Sequence, residues 1–86
     1  MTDAAFEAAV ERHGDAIFRL AYSYLKNRAD AEDVMQETLL KLYRTEEVFE
    51  DADHERYWVI RVAANECKKL LRSPWRRRTD SLETAP

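Results

Sequence analysis

Apolar side chains recur at helical intervals along three stretches of the chain. Between Asp3 and Lys26, the residues Phe6, Val10, Ile17, Leu20, Ala21, Tyr24 and Leu25 fall at spacings of three, four and seven. That spacing predicts one apolar face of a first helix. Gly14 interrupts the stretch, at a cost of up to about 1 kcal/mol relative to alanine, and permits a break or kink there. Asn27 and Arg28 read as a short turn. A second helix is predicted from Ala31 to Arg44, with Asp30 as its N-cap and Glu32 and Asp33 at the end where the helix dipole favours anions. Lys41 and Arg44 fall in its last turn, where cations are favoured. Val34, Met35, Thr38, Leu39 and Leu42 make its inward face. Asp33, Gln36, Glu37, Leu40, Lys41 and Arg44 lie on the other side.

Residues 45–54 are acidic and predict a short helical turn around Val48 and Phe49, with Phe49 plugging the core. A third helix is predicted from His54 to Arg72, capped by Asp53 and ended by Pro74. Trp58, Val59, Val62, Cys67 and Leu70 form its stripe, and Ile60, Ala63, Ala64 and Leu71 broaden it. A helix apolar around so much of its girth is expected at the centre of the bundle. The fold class is therefore all-α: three main helices plus a short helical turn, forming a domain over residues 1–74. Residues 75–86 read as the start of an interdomain linker or a disordered tail. A single glycine and two prolines leave little turn chemistry for hairpins, which agrees.

At 86 residues the chain is long enough for one core and too short for two. No apolar run approaches the ~18 residues of a membrane span, and the N-terminus lacks the basic-then-apolar pattern of a signal peptide. The single cysteine rules out an internal disulfide framework and fits a reducing compartment. A cytoplasmic protein without membrane insertion is expected.

Charge changes the picture more than composition does. The net charge is only −3, yet residues 1–55 hold 14 acidic and 6 basic side chains, and residues 56–78 hold eight basic side chains against Glu66 alone. A segment this basic on an acidic chain points to a local polyanion contact. The plainer reading is of solvated helix faces that partly neutralise each other. Arg61, Asn65, Lys68, Lys69 and Arg72 share one polar face of the third helix. The cations can neutralise phosphates, which supplies affinity without reading sequence. Asn65 can present both a donor and an acceptor to a base edge. Just before them, Arg56, Tyr57 and Trp58 can stack an unpaired base, although the place of Trp58 on the apolar stripe favours core packing. On the second helix, Leu40 is an apolar side chain on a polar face beside Gln36 and Glu37, a candidate centre for a protein contact.

Catalytic chemistry finds no support. There is no phosphate-cradling glycine loop. His54-Glu55 begins like a zinc-protease helix, but Trp58 stands where a second histidine is needed. His13 is too isolated in sequence to suggest a ligand set. Cys67 sits on the inward stripe as an inert thiol, and Asp33 with Glu37 read as surface carboxylates. No enzymatic activity and no cofactor are expected.

Two motifs then carry a family resemblance. Asp30-Ala31-Glu32-Asp33-Val34-Met35-Gln36-Glu37, continuing through Thr38-Leu39-Leu40-Lys41-Leu42-Tyr43-Arg44, resembles the second conserved region of bacterial sigma factors, closest to the extracytoplasmic-function (ECF) group. Farther along, Tyr57-Trp58-Val59-Ile60-Arg61-Val62-Ala63-Ala64-Asn65 resembles that family's promoter-reading helix, and Ile17-Phe18-Arg19-Leu20-Ala21 its first helix. The resemblance covers about residues 5–78.

It implies a helical domain that binds core RNA polymerase and reads and helps melt the minus-ten promoter element. Asp33, Gln36, Glu37, Leu40 and Arg44 would dock on the clamp helices of the polymerase's largest subunit. Asp53, His54, Glu55, Arg56 and Tyr57, with Arg61, Asn65, Lys68, Lys69 and Arg72, would hold the nontemplate strand and a flipped base. An anti-sigma factor is a possible further partner. Full members carry a second helical domain, and nothing after Pro86 supplies it, so the expectation is of an excised domain, with a naturally short protein as the alternative. The rival functional reading is a sigma-like adaptor or decoy that binds polymerase without reading DNA. A double-stranded helix-turn-helix repressor fits less well, because a ten-residue acidic segment separates the second and third helices.

Overall fold

A computed structural model of the chain describes residues 1–73. It is all-α, with α1 at Asp3–Leu25, α2 at Arg28–Arg44 and α3 at Ala52–Arg72. Pro74, Trp75 and the expected linker at 75–86 lie outside the described residues.

Each helix begins on a side-chain cap that takes up an otherwise orphaned backbone N–H. The Thr2 hydroxyl accepts from the Ala5 N–H at 3.1 Å, the Asn27 side-chain oxygen from the Asp30 N–H at 2.9 Å, and the Asp51 carboxylate from the His54 N–H at 2.8 Å. Two of these caps correct the sequence-based starts. α2 begins at Arg28 rather than Ala31, because Asn27 caps it, and an Arg28–Glu32 ion pair at 3.3 Å spans its first turn. Asp30 is thus inside the helix. α3 begins at Ala52 rather than His54, and Asp53 sits in its first turn.

The α1–α2 connection is very short. Lys26 adopts φ 54, in the left-handed region, and its N–H donates to the Tyr22 carbonyl at 2.8 Å. That conformation closes α1 and delivers the chain directly to the Asn27 cap. At the far end of this antiparallel hairpin, Phe6 meets Tyr43 edge-on with ring centroids 5.1 Å apart.

The buried core consists of Ala9, Ile17, Ala21 and Leu25 from α1, Ala31, Val34, Leu39 and Leu42 from α2, and Val59, Ala63 and Cys67 from α3. Gly14 produces no break; α1 runs through it, and Gly14 is buried within the helix. Val10 and Tyr24, expected to face inward, are partly exposed, and His13 is buried instead. α3 is also less central than its composition suggests. Only three of its residues are fully buried, and Trp58 and Leu70 pack against the core at its margin. It lies on the hairpin rather than inside it.

The expected short helical turn at Val48–Phe49 does not form. Residues 45–49 make an irregular link, in which the Thr45 hydroxyl accepts from the Glu47 N–H at 3.1 Å. Glu46 and Glu50, like Glu47 and Asp51, would stand one turn apart in a helix, where like charges repel. Phe49 does pack inward, edge-on to Trp58 at 5.7 Å and to His54 at 5.3 Å, whereas Val48 is 86% exposed.

Candidate nucleic-acid interface

The outward row of α3 is built by helical spacing. Tyr57, Arg61, Asn65, Lys68 and Arg72 follow at intervals of four, four, three and four, and all five are exposed. The row runs about 22 Å along the helix axis. Val59, Ala63 and Cys67 are on the opposite side and fully buried. Arg56, Arg61, Lys68 and Arg72 form no ion pair with any described carboxylate. The Arg72 guanidinium instead donates to the Lys68 carbonyl at 3.2 Å, closing the last turn. Lys69 differs: its ammonium lies 3.7 Å from Glu66, which also takes an ion pair from Lys41 of α2. One carboxylate thus ties α3 to α2 and partly neutralises Lys69, leaving the charge on the Arg61–Arg72 row available to an outside partner.

The N-terminal turn of α3 divides its side chains between two tasks. Asp53, Arg56 and Tyr57 face solvent, and Tyr57 is 67% exposed. His54 and Glu55 turn to the protein. His54 Nδ1 accepts from the Glu50 N–H at 3.1 Å, fixing the link before the helix. Glu55 Oε1 accepts from Arg12 at 2.7 Å and pairs with His13 Nε2 at 2.6 Å, both on α1. Burial pushes the Glu55 carboxyl up, but the hydrogen bonds and charges of His13 and Arg12 outweigh it and hold the group below its ordinary value. Trp58 is half-buried against Phe49, in keeping with its place on the apolar stripe.

Asp33, Gln36, Glu37, Leu40 and Arg44 form a second exposed row, on α2. Leu40 is 39% exposed in its middle. Val34, Thr38 and Leu42 are buried on the opposite side. A cleft of about 430 Å³ adjoins this row, lined by Gly14, Phe18, Met35 and Gln36 among others. It belongs to the α1–α2 hairpin and does not reach the N-terminal turn of α3. Among the described residues no group of three or more His, Cys, Asp or Glu side chains is placed to hold a metal ion, and no helix is long and apolar enough to cross a membrane.

Sequence reasoning misses Arg12 and His13. A signal is present: His13 falls four residues from both Ala9 and Ile17, on the buried side of α1, and a buried imidazole needs a polar partner.

Comparison with known proteins extends these observations. The family described as Sigma-70 region 2 matches residues 9–77. The chain is 31% identical over 78 residues to the ECF RNA polymerase sigma factor SigE of Mycolicibacterium smegmatis, spanning 91% of this chain and 30% of that protein. It is 34% identical over 73 residues to the ECF RNA polymerase sigma-E factor of Haemophilus influenzae, spanning 85% of this chain and 38% of that protein. With the ECF RNA polymerase sigma factor SigG of Mycobacterium tuberculosis it shares 33% identity over 72 residues, 84% of this chain and 20% of that protein. The chain thus spans well under half the length of these relatives. No solved structure matches it. The two motifs, the three-helix bundle and the match across residues 9–77 lead to one conclusion: the chain belongs to the Sigma-70 region 2 family, as a region 2 domain of the ECF type.

Proposed function

We propose that this domain binds core RNA polymerase through α2 and the nontemplate strand of the minus-ten promoter element through α3. The observation that carries the reading is the exposed row Tyr57, Arg61, Asn65, Lys68 and Arg72 in a chain whose relatives are RNA polymerase sigma factors. Arg61, Lys68 and Arg72, with Lys69 beside them, neutralise the strand's phosphates. Tyr57 and Arg56 stack an unpaired base, and Asn65 inspects its edge. Asp53 stands at the solvent end of the same turn. His54 and Glu55 serve from beneath, by fixing the turn. Sigma-factor domains are not catalytic, and the energetic task here is to stabilise a base already out of the stack, which lowers the cost of opening the duplex.

Asp33, Gln36, Glu37, Leu40 and Arg44 dock on the clamp helices of the largest polymerase subunit, with Leu40 as the apolar anchor inside a polar rim. The separation of the two rows onto different helices supports simultaneous engagement of both partners, and an anti-sigma factor would act in the cytoplasm by covering either row. A pull-down with an isolated clamp fragment and an unpaired minus-ten oligonucleotide tests the assignment. Glu37→Lys abolishes clamp capture and spares the oligonucleotide; Arg61→Ala and Asn65→Ala do the reverse. Clamp capture with no strand retained by the wild-type chain would instead support an adaptor that does not read DNA.

A further inference from the structure

Between Asp51 and Tyr57 no side chain is fully buried, and the first apolar side chain of α3 sealed in the core is Val59. Apolar packing therefore does little to hold the first turn and a half of α3 on the hairpin. Polar contacts take its place. Glu55, the one carboxylate of this turn directed at α1, receives the Arg12 guanidinium at 2.7 Å and His13 Nε2 at 2.6 Å on the same oxygen. His13 is only 6% exposed, so the imidazole side of the contact is buried in the bundle, while Arg12 covers the carboxylate from the solvent side. Tyr57 lies two residues on, about 200° around the helix, and faces away from α1.

We infer that Arg12 and His13 are positioning residues for strand recognition: by clamping Glu55 they set where the N-terminal turn of α3 presents Arg56 and Tyr57. The inference rests on the strand-binding reading of α3 and adds to it two α1 residues that need not touch DNA themselves. The second support of the turn, Phe49 and the Glu50 N–H on His54, restrains the link before the helix and leaves its rotation against α1 to Glu55. Removing one donor frees the carboxylate to seek water, and the turn then samples orientations that separate Tyr57 from the Arg61–Arg72 row.

The test uses the full chain and two readouts. The first is amide hydrogen exchange, read at His54 and Glu55, whose N–H groups both donate to Asp51. The second is affinity for a fluorescent pool of unpaired hexadeoxynucleotides. His13→Leu speeds exchange at His54 and Glu55, leaves the α1–α2 hairpin amides unchanged and weakens binding roughly tenfold, the size of one charge-assisted hydrogen bond. His13→Gln, which keeps a donor near the Nε2 position, restores both. Faster exchange with undiminished binding, or unchanged exchange in His13→Leu, overturns the inference. If exchange responds as expected but the wild-type chain binds no hexamer, the clamp on the turn stands and the strand-binding reading fails. Global loss of hairpin protection in His13→Leu moves the decision to Arg12→Gln, whose solvent-facing site is not part of the core; unchanged exchange and binding in that variant overturn the role of Arg12.

Discussion

Nε2 of His13 lies 2.6 Å from Oε1 of Glu55, joining residues 42 apart in the chain. With Arg12 on the same oxygen, this contact holds the folded Glu55 carboxyl below its ordinary value of 4.5. A carboxylate depressed on folding contributes stability above its unfolded value, and that contribution is lost as pH falls through the folded value. Glu55→Gln mimics the protonated group. The variant is therefore less stable than wild type at pH 7, and the gap closes on acidification below about pH 4.5. Urea unfolding of both proteins at several pH values checks this; a gap that widens in acid contradicts it.

Gly14 supports a second prediction. A methyl group added there meets only Met35 Sδ and Val10 Cγ1, each at 3.9 Å, which is ordinary contact. Gly14→Ala therefore recovers helix propensity without strain and raises stability by about 0.5–1 kcal/mol. Thermal unfolding reads this as an increase of several degrees, and a lower midpoint would mean the helix pair closes more tightly at this point than the structure shows.

Lys26 holds φ 54 without being glycine. A β-carbon in this region costs roughly 1 kcal/mol, which glycine avoids. Lys26→Gly is expected to stabilise the fold by about that amount while leaving the exposed rows of α2 and α3 untouched. Chemical denaturation measures it directly.

Among the described residues, no group hydrogen-bonds the buried Thr38 hydroxyl. An unsatisfied buried hydroxyl costs about 1–3 kcal/mol, and valine has the same shape without it. Thr38→Val is expected to raise stability by about 1 kcal/mol, and a drop in stability on denaturation would show that the hydroxyl has a partner after all.

These residues also show what sequence can and cannot reveal. The faces of α2 and α3 are legible because a 3.6-residue period alone separates Asp33, Gln36, Glu37 and Leu40 from Val34, Thr38 and Leu42, and Arg61 and Asn65 from Ala63 and Cys67. Helix starts are less legible, because Asn27 and Asp30, or Asp51 and Asp53, are competing caps of similar quality, and the choice depends on how the preceding chain arrives. Lys26 in the left-handed region settles one such choice. The girth of α3 misleads, because apolar residues such as Leu71 and Val62 lie at the bundle's edge. Glu55 reads from sequence as one more surface group of the exposed N-terminal turn of α3, since nothing local marks a carboxylate whose partners lie more than forty residues away. The predicted helical turn at Val48 fails where like charges outweigh a short apolar pair.

Salt dependence distinguishes a grip on a separated strand from general attraction to DNA. The full chain is titrated with unpaired hexamers and with the same sequences in duplex form across a range of salt. If the α3 row grips a separated strand, the unpaired form binds more tightly. Replacing Arg61, Lys68 and Arg72 together by glutamine then flattens the logarithmic salt slope by about 2, at roughly 0.7 for each phosphate no longer neutralised. Equal affinity for duplex and single strand, or a slope unmoved by removing those three charges, would contradict the account.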